Sequence, residues 1–242
     1  MRRALCAVLA AALLIAGCGG DAARERPRKA AVTATPTPTP EPPPAKPVRF
    51  RAADGKPVEG LFTAAGRNAP AVVLLHEIRG GPDQWDGLVG ALHEAGFATL
   101  AYRSRPSIVE SERLPDALGA LRWLRSRKDV DRRRLALVGA SIGASTTVLA
   151  MAGEGGRLAL AGVALSPPDS SDIWGLQSSG RYRPHDLLLV ADERESSSAE
   201  GMLDGARRSR ALRSERPGHG VTLLAEPGVR DALLRWLQTR VR

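Results

Sequence analysis

The ten residues Leu135-Ala136-Leu137-Val138-Gly139-Ala140-Ser141-Ile142-Gly143-Ala144 decide the fold of this chain. An apolar run typical of a buried strand leads directly into Gly-x-Ser-x-Gly, and a helical pattern begins at Ile142. A serine on so sharp a strand-to-helix turn takes a strained backbone conformation, and small neighbours allow the strand and the helix to pack closely. The stretch therefore predicts an α/β domain in which Ser141 is an exposed nucleophile. The plainer interpretation is a glycine-rich turn of an unrelated α/β protein.

Strand and helix patterns alternate on both sides of this turn. Asp54-Gly55 lies between two strand-like runs and predicts a hairpin. Ala71 to Leu75 is a continuous apolar run, which is typical of a buried parallel strand. The alternation favours a mostly parallel central sheet with helices on both faces. The predicted strands are 48–51, 58–62, 71–75, 97–101, 134–138, 158–165, 186–191 and 221–224, and the predicted helices are 83–95, 111–127, 142–151, 197–212 and 228–237.

Two further motifs, together with the Ser141 turn, give the chain its likeness to a known family. One is Val73-Leu74-Leu75-His76-Glu77-Ile78-Arg79-Gly80-Gly81, which follows a predicted strand, and the other is Pro217-Gly218-His219-Gly220 near the C-terminus. From Val48 to Val241 the chain resembles the α/β-hydrolase superfamily, closest to its dienelactone-hydrolase-like branch. The resemblance implies the α/β-hydrolase fold with a minimal cap, and hydrolysis by a serine nucleophile.

The resemblance places the first of these motifs in the loop that stabilises an oxyanion. By that match the backbone N–H groups of Ile78 and Ile142 are the two donors, and preorganised donors of this kind commonly contribute several kcal/mol. The same match implies that His76 and Glu77 lie near the nucleophile, where Glu77 would influence its protonation. The alternative for both side chains is loop packing with local hydrogen bonds.

The resemblance implies that His219 is the catalytic base. A neutral imidazole can take the serine proton and pass it to the leaving group. The other histidines fit less well, because His93 lies on a predicted helix and His185 opens a predicted strand. His76 precedes Ser141, whereas the superfamily order is serine, acid, histidine.

The acid is the point at which the sequence departs from the family pattern. Relatives usually carry Asp four residues past the strand that ends at Ala191, and that position is Glu195 in this chain. The acid must hydrogen-bond the second imidazole nitrogen and stabilise the imidazolium, which a glutamate can do with a longer arm. We favour Glu195 over Asp192 at the end of the strand, and the further alternatives are Asp169, Asp172 or no acid.

Together these residues favour a serine hydrolase that acts on ester, lactone or thioester bonds of a small molecule through an acyl-enzyme. A peptidase of the same fold is the second hypothesis, and the absence of a propeller or second domain before Val48 argues against the large peptidase types. The third is a catalytically inactive, surface-displayed binding lipoprotein, which the altered acid favours. The cap is expected within Ser166–Arg183, with Trp174 and Tyr182 as candidate pocket walls.

The first eighteen residues have the pattern of a bacterial lipoprotein signal peptide. Arg2 and Arg3 form a positive n-region, and the apolar run Leu5–Ile15 is too short to span a bilayer. Ile15-Ala16-Gly17-Cys18 resembles a lipobox, in which Cys18 carries the lipid. This implies an exported lipoprotein of a cell-envelope membrane. The alternative is an ordinary signal peptide followed by an incidental cysteine.

Residues 19–47 form a Thr/Pro-rich segment that is expected to be a disordered tether. Each proline fixes φ and removes a hydrogen-bond donor, so the segment favours extended polyproline II and cannot build a core. The tether would hold the domain, which is expected to begin at Val48, away from the membrane.

Composition argues against several classes of partner. The net charge is +9, but the basic residues are dispersed and no aromatic and basic stripe suggests base stacking. Nucleic acid is therefore not an expected partner. The only cysteine besides Cys18 is Cys6, in the predicted signal peptide, so the mature domain would hold neither a disulfide nor a cysteine-based metal site. We expect a monomer without metal or cofactor.

Overall fold

The computed structural model describes residues 43–241. The predicted signal peptide, its Cys18 and most of the predicted tether lie outside the described residues. The first strand begins at Lys46 rather than at Val48, so the folded domain starts slightly before the predicted boundary. Within the described part of the chain, no helix is both long and apolar enough to cross a membrane.

A single sheet of eight strands forms the centre of the domain. The strands are β1 Lys46–Arg51, β2 Pro57–Thr63, β3 Ala69–Leu75, β4 Ala98–Tyr102, β5 Val130–Ala140, β6 Ala161–Leu165, β7 Leu187–Ala191 and β8 Arg210–Arg213. Their order across the sheet is β1-β2-β4-β3-β5-β6-β7-β8. β2 is antiparallel to both of its neighbours, and the strands from β3 to β8 are mutually parallel. The predicted mostly parallel sheet and the Asp54-Gly55 hairpin are confirmed.

Helices connect the parallel strands. They are α1 Asp86–Glu94, α2 Glu110–Ser126, α3 Ile142–Ala152, α4 Gly155–Leu158, α5 Ser171–Ser178, α6 Ser196–Gly201 and α7 Pro227–Val241. Two 3-10 helices, Pro82–Trp85 and Gly220–Ala225, complete the described elements. The eight residues of α5 form the centre of the predicted cap segment.

The sheet is buried on both faces, as the continuous apolar run of β3 predicts. Val73 and Leu75 point into the core layer that α2 and α3 cover, and Val72 and Leu74 point into the opposite layer beneath α1 and α7. All four side chains are at most 1% exposed. Helices on both faces of a parallel sheet are the arrangement that strand–helix alternation requires.

Two predicted elements have different bounds in the structure. The predicted strand 158–165 begins only at Ala161, because Leu158 closes the short helix α4. The predicted helix 197–212 ends at Gly201, and its last residues form the edge strand β8 against β7. The sequence of β8 lacks an alternating apolar pattern, so only the tertiary pairing reveals the strand.

The predicted strand 221–224 is instead a 3-10 helix. Gly220, with φ +56°, turns the chain sharply, and the Thr222 hydroxyl accepts a hydrogen bond from the His219 N–H at 2.8 Å. Leu223 and Leu224 still reach the core layer beneath α7. Burial of these apolar side chains therefore does not require a ninth strand.

Candidate active site

Ser141 occupies a strained turn between β5 and α3. Its backbone angles are φ +52° and ψ −124°, a conformation that L-residues rarely adopt. A Cβ atom placed on Gly139 would lie 2.0 Å from the Gly143 carbonyl oxygen, and one on Gly143 would lie 2.2 Å from the Leu75 carbonyl oxygen. Both glycines are therefore needed for the close approach of β5, α3 and β3. The turn has the geometry of the predicted nucleophile elbow, and Ser141 is partly exposed.

His219 and Glu195 form a hydrogen-bonded pair. The Nδ1 atom of His219 lies 2.7 Å from Glu195 Oε1, and the two side chains are 48% and 32% exposed. Thr222 holds the backbone of His219, since its hydroxyl accepts from the His219 N–H and donates to the His219 carbonyl oxygen, both at 2.8 Å. This pairing matches the contact that an orienting acid makes with an imidazole.

Asp192, the second candidate acid, has other partners. Its carboxylate accepts from the Arg194 guanidinium at 2.6 Å and from the Gly218 N–H at 3.2 Å. The Arg194 hydrogen bond, supported by the Gly218 and Arg194 N–H groups, lowers the pKa of Asp192 to about 2. Asp192 therefore holds the backbone of Gly218, the residue before His219, and does not bond to the His219 ring. Asp172 accepts from the Ser111 N–H at 3.0 Å, and Asp169 is exposed.

Among the hydrogen bonds of the described residues, none joins the Ser141 hydroxyl to His219. Ser141 directly follows β5, and His219 lies in the loop after β8. Both residues therefore lie at the carboxyl end of the parallel strands. Catalytic hydrogen bonds often tighten only when a substrate is bound.

The two predicted oxyanion donors lie on neighbouring segments of the same end of the sheet. Ile78 is in a turn that the Gly80 N–H closes onto the Glu77 carbonyl oxygen at 3.1 Å. Ile142 is the first residue of α3, where a backbone N–H has no acceptor within the helix. Within residues 43–241, neither N–H donates to a protein acceptor.

The ring of His76 makes structural contacts, while its backbone lies beside the Ser141 turn: a Cβ atom on Gly143 would lie 2.8 Å from the His76 carbonyl oxygen. The ring is buried, its Nε2 accepts from the Ser104 N–H at 2.9 Å, and its Nδ1 bonds to the Glu77 carbonyl oxygen. Burial lowers the pKa of His76, which keeps the ring neutral. Arg113 donates to the His76 carbonyl oxygen at 3.1 Å. These contacts fix the start of the Ile78 turn and correspond to the loop-packing alternative.

Glu77 reaches the loop of the predicted base. Its Oε1 atom accepts from the Val221 N–H at 2.9 Å, two residues past His219. No sequence signal pairs these positions, because they lie 144 residues apart. Glu77 thus contacts the loop that carries His219, through a backbone N–H.

Exposed apolar side chains, called here the apolar rim, follow strands at the end of the sheet that also carries Ser141. Five large apolar side chains are exposed in the described part of the chain. Four of them lie in segments that follow the carboxyl ends of β3, β4 and β6, and these four are Ile78, Ile108, Val109 and Trp174. Trp174 on α5 is 52% exposed, as a pocket wall would be. Tyr182 is not a wall, because it is buried and its hydroxyl donates to the Met202 carbonyl oxygen at 2.6 Å. Sequence reasoning missed Ile108 and Val109, although an apolar pair in a loop is a recognisable signal.

The structure is similar to solved structures of hydrolytic enzymes. An esterase of Pyrococcus furiosus superposes with a TM-score of 0.68 and 16% identity, over 82% of this chain and 93% of the esterase. A dienelactone hydrolase from Anabaena variabilis gives 0.64 and 17%, over 82% and 99%. The carboxylesterase EstE1, cloned from a metagenomic library, gives 0.65 and 17%, over 84% and 92%. No family model and no curated protein matches the sequence.

At this level of identity the similarity establishes the fold. The chain has the α/β-hydrolase fold, and the resemblance to the dienelactone-hydrolase-like branch is confirmed at that level. Folds of this kind host many activities, so the activity must be argued from the site.

Proposed function

We propose that this protein is a serine hydrolase that cleaves ester, lactone or thioester bonds of small molecules. The observation that carries the proposal is the strained Ser141 turn at the same end of the sheet as the 2.7 Å His219–Glu195 pair. The acid was the weak point of the sequence pattern, and the contact between Glu195 and His219 supports an intact triad. The hydrolases of the same fold support the same reaction class.

In the proposed mechanism, the Ser141 hydroxyl oxygen attacks the carbonyl carbon of the bound ester. The proton of the hydroxyl passes to His219 Nε2 while Glu195 stabilises the imidazolium through Nδ1. The N–H groups of Ile78 and Ile142 receive the developing oxyanion. The leaving alcohol or thiol takes the proton from His219, and a water molecule then hydrolyses the acyl-enzyme by the reverse proton path.

The apolar rim favours substrates with an apolar acyl or alcohol portion. Ile78 follows β3, and Trp174 lies on α5, which follows β6; β3 and β6 are the two neighbours of β5 in the sheet. Burial of about one methylene group contributes ~0.8 kcal/mol, so contact with a few carbons is enough to select among esters. With only the eight-residue α5 as a cap, the site is open to solvent-borne small molecules.

We also propose that the domain is carried as a lipoprotein of the cell envelope. The support is the sequence Ile15-Ala16-Gly17-Cys18 followed by the Thr/Pro-rich segment. Lipidation of Cys18 would place the hydrolase domain beside a membrane while the membrane itself takes no part in the chemistry.

Replacement of Ser141 tests the proposed hydrolase function. Ser141→Ala should abolish turnover of short activated esters and labelling by a fluorophosphonate, with an unchanged unfolding midpoint because only a hydroxyl is lost. His219→Ala should cost about as much in turnover, and the double variant no more than either single one, because the two groups act as a unit.

A remote serine supplies the control. Ser126→Ala changes a hydroxyl that donates only to the Trp123 carbonyl oxygen at the end of α2, and it should keep full turnover. Wild-type turnover in Ser141→Ala, in a preparation free of host esterases, would rule out the proposed mechanism. The inactive binding lipoprotein would then be the better hypothesis.

A further inference from the structure

One carboxylate connects the two loops that carry the candidate oxyanion donor and the candidate base. Glu77 Oε1 accepts from the Val221 N–H at 2.9 Å. Gly220, between Val221 and His219, has φ +56°, and a Cβ atom there would lie 1.9 Å from Glu77 Oε1. The carboxylate therefore fills the space above Gly220, and the glycine is required both for its backbone conformation and for this contact.

The backbone of Glu77 holds the other loop. Its carbonyl oxygen accepts from the Gly80 N–H at 3.1 Å, which closes the turn that contains Ile78. Its N–H donates to Gln84 Oε1 at 3.4 Å. A displacement of Glu77 would consequently move the Ile78 donor and release the His219 loop at the same time.

We propose that Glu77 is a positioning residue, which sets the distance between the His219 ring and the oxyanion loop through the Val221 N–H. The inference rests on the proposed hydrolase function. In this role Glu77 acts through the Val221 N–H that its Oε1 accepts from. A misplacement of catalytic groups by about 1 Å can cost on the order of 100-fold in rate, so the contact matters for turnover more than for substrate binding.

Substitutions at Glu77 separate positioning from proton transfer. Glu77→Ala should lower kcat about 10- to 100-fold and change KM by less than about 3-fold, since the geometry of the reacting groups is lost while the substrate-binding rim is intact. Glu77→Gln should restore kcat to within about 3-fold of wild type, because the amide oxygen still accepts from an N–H. If Glu77→Gln is as impaired as Glu77→Ala, the charge or proton of Glu77 acts directly and the proposal is wrong.

Asp131 provides a matched control at the opposite end of the sheet. Its carboxylate also accepts from a backbone N–H at 2.9 Å, that of Arg133, at the start of β5. Asp131→Ala should reduce the unfolding midpoint without lowering kcat. If Glu77→Ala and Asp131→Ala have the same kcat, Glu77 has no positioning role.

Gly220→Ala tests the same contact from the other side. The added methyl group must displace the Glu77 carboxylate and also strains the backbone at φ +56°, so kcat should fall at least as far as in Glu77→Ala, and the double variant should be no slower than Gly220→Ala alone. Additive losses in the double variant would overturn the proposal. Fluorophosphonate labelling of the wild-type protein keeps the two failures apart, because an unlabelled wild type refutes the hydrolase function itself.

Discussion

Glu195→Gln should lower the turnover of a short activated ester about 1,000-fold while leaving KM nearly unchanged. The orienting carboxylate of a buried serine triad is worth about 10⁴-fold in turnover. The Glu195 and His219 side chains are 32% and 48% exposed, so water can replace part of what the carboxylate supplies. We therefore expect a loss near 1,000-fold, which corresponds to about 4 kcal/mol of activation free energy.

Asp192→Asn is the matched comparison, because it makes the same chemical change at a neighbouring carboxylate. Asp192 supports Gly218 and pairs with Arg194, so this variant should lose less than about 10-fold in turnover. The main effect of Asp192→Asn should be on the free energy of unfolding. The folded pKa of Asp192 is about 2 against an ordinary 3.8, so its contribution is present above pH 3.8 and is lost as the pH falls toward 2.

The assay is steady-state hydrolysis of p-nitrophenyl acetate at pH 8, with thermal unfolding of each variant measured in parallel. A greater loss of turnover in Asp192→Asn than in Glu195→Gln would assign the acid to Asp192. Small and equal losses in both variants would show that neither carboxylate serves His219, and the reasoning from the 2.7 Å contact would be refuted.

Two further predictions concern the substrate and the anchor. Trp174→Ser should raise KM for an octanoate ester about 3- to 10-fold relative to the acetate ester, because an apolar contact is lost. Leu160→Ser changes another exposed apolar residue, at the opposite end of the sheet, and should not raise this KM. If the two variants have the same KM for the octanoate ester, Trp174 does not contact the acyl chain. Cys18→Ala, expressed in a lipidating bacterium, should move the protein from the detergent phase to the aqueous phase on Triton X-114 partition, whereas retention in detergent would contradict a lipid on Cys18.

Local patterns were sufficient for the main elements of the domain. Period-2 and apolar runs predicted most strands, and the Gly-x-Ser-x-Gly turn identified Ser141, because steric demands at a strand-to-helix turn act between residues adjacent in the chain. The elements that local pattern missed are weak or short. They are the Arg-rich edge strand β8 and the 3-10 helix after His219, whose conformations depend on pairing with β7 and on packing beneath α7.

The sequence by itself determined the fold class and the identity of the candidate nucleophile and base, and it left the acid open between Glu195 and Asp192. Only the tertiary structure decided which carboxylate meets His219, because the choice depends on how the loops after β7 and β8 approach each other. The tertiary structure also decided the partner of Glu77, which accepts from the N–H of Val221, 144 residues away, and the partner of the His76 ring, which accepts from the Ser104 N–H. Contacts between distant segments are set by packing of the whole sheet and leave no periodic trace in the chain.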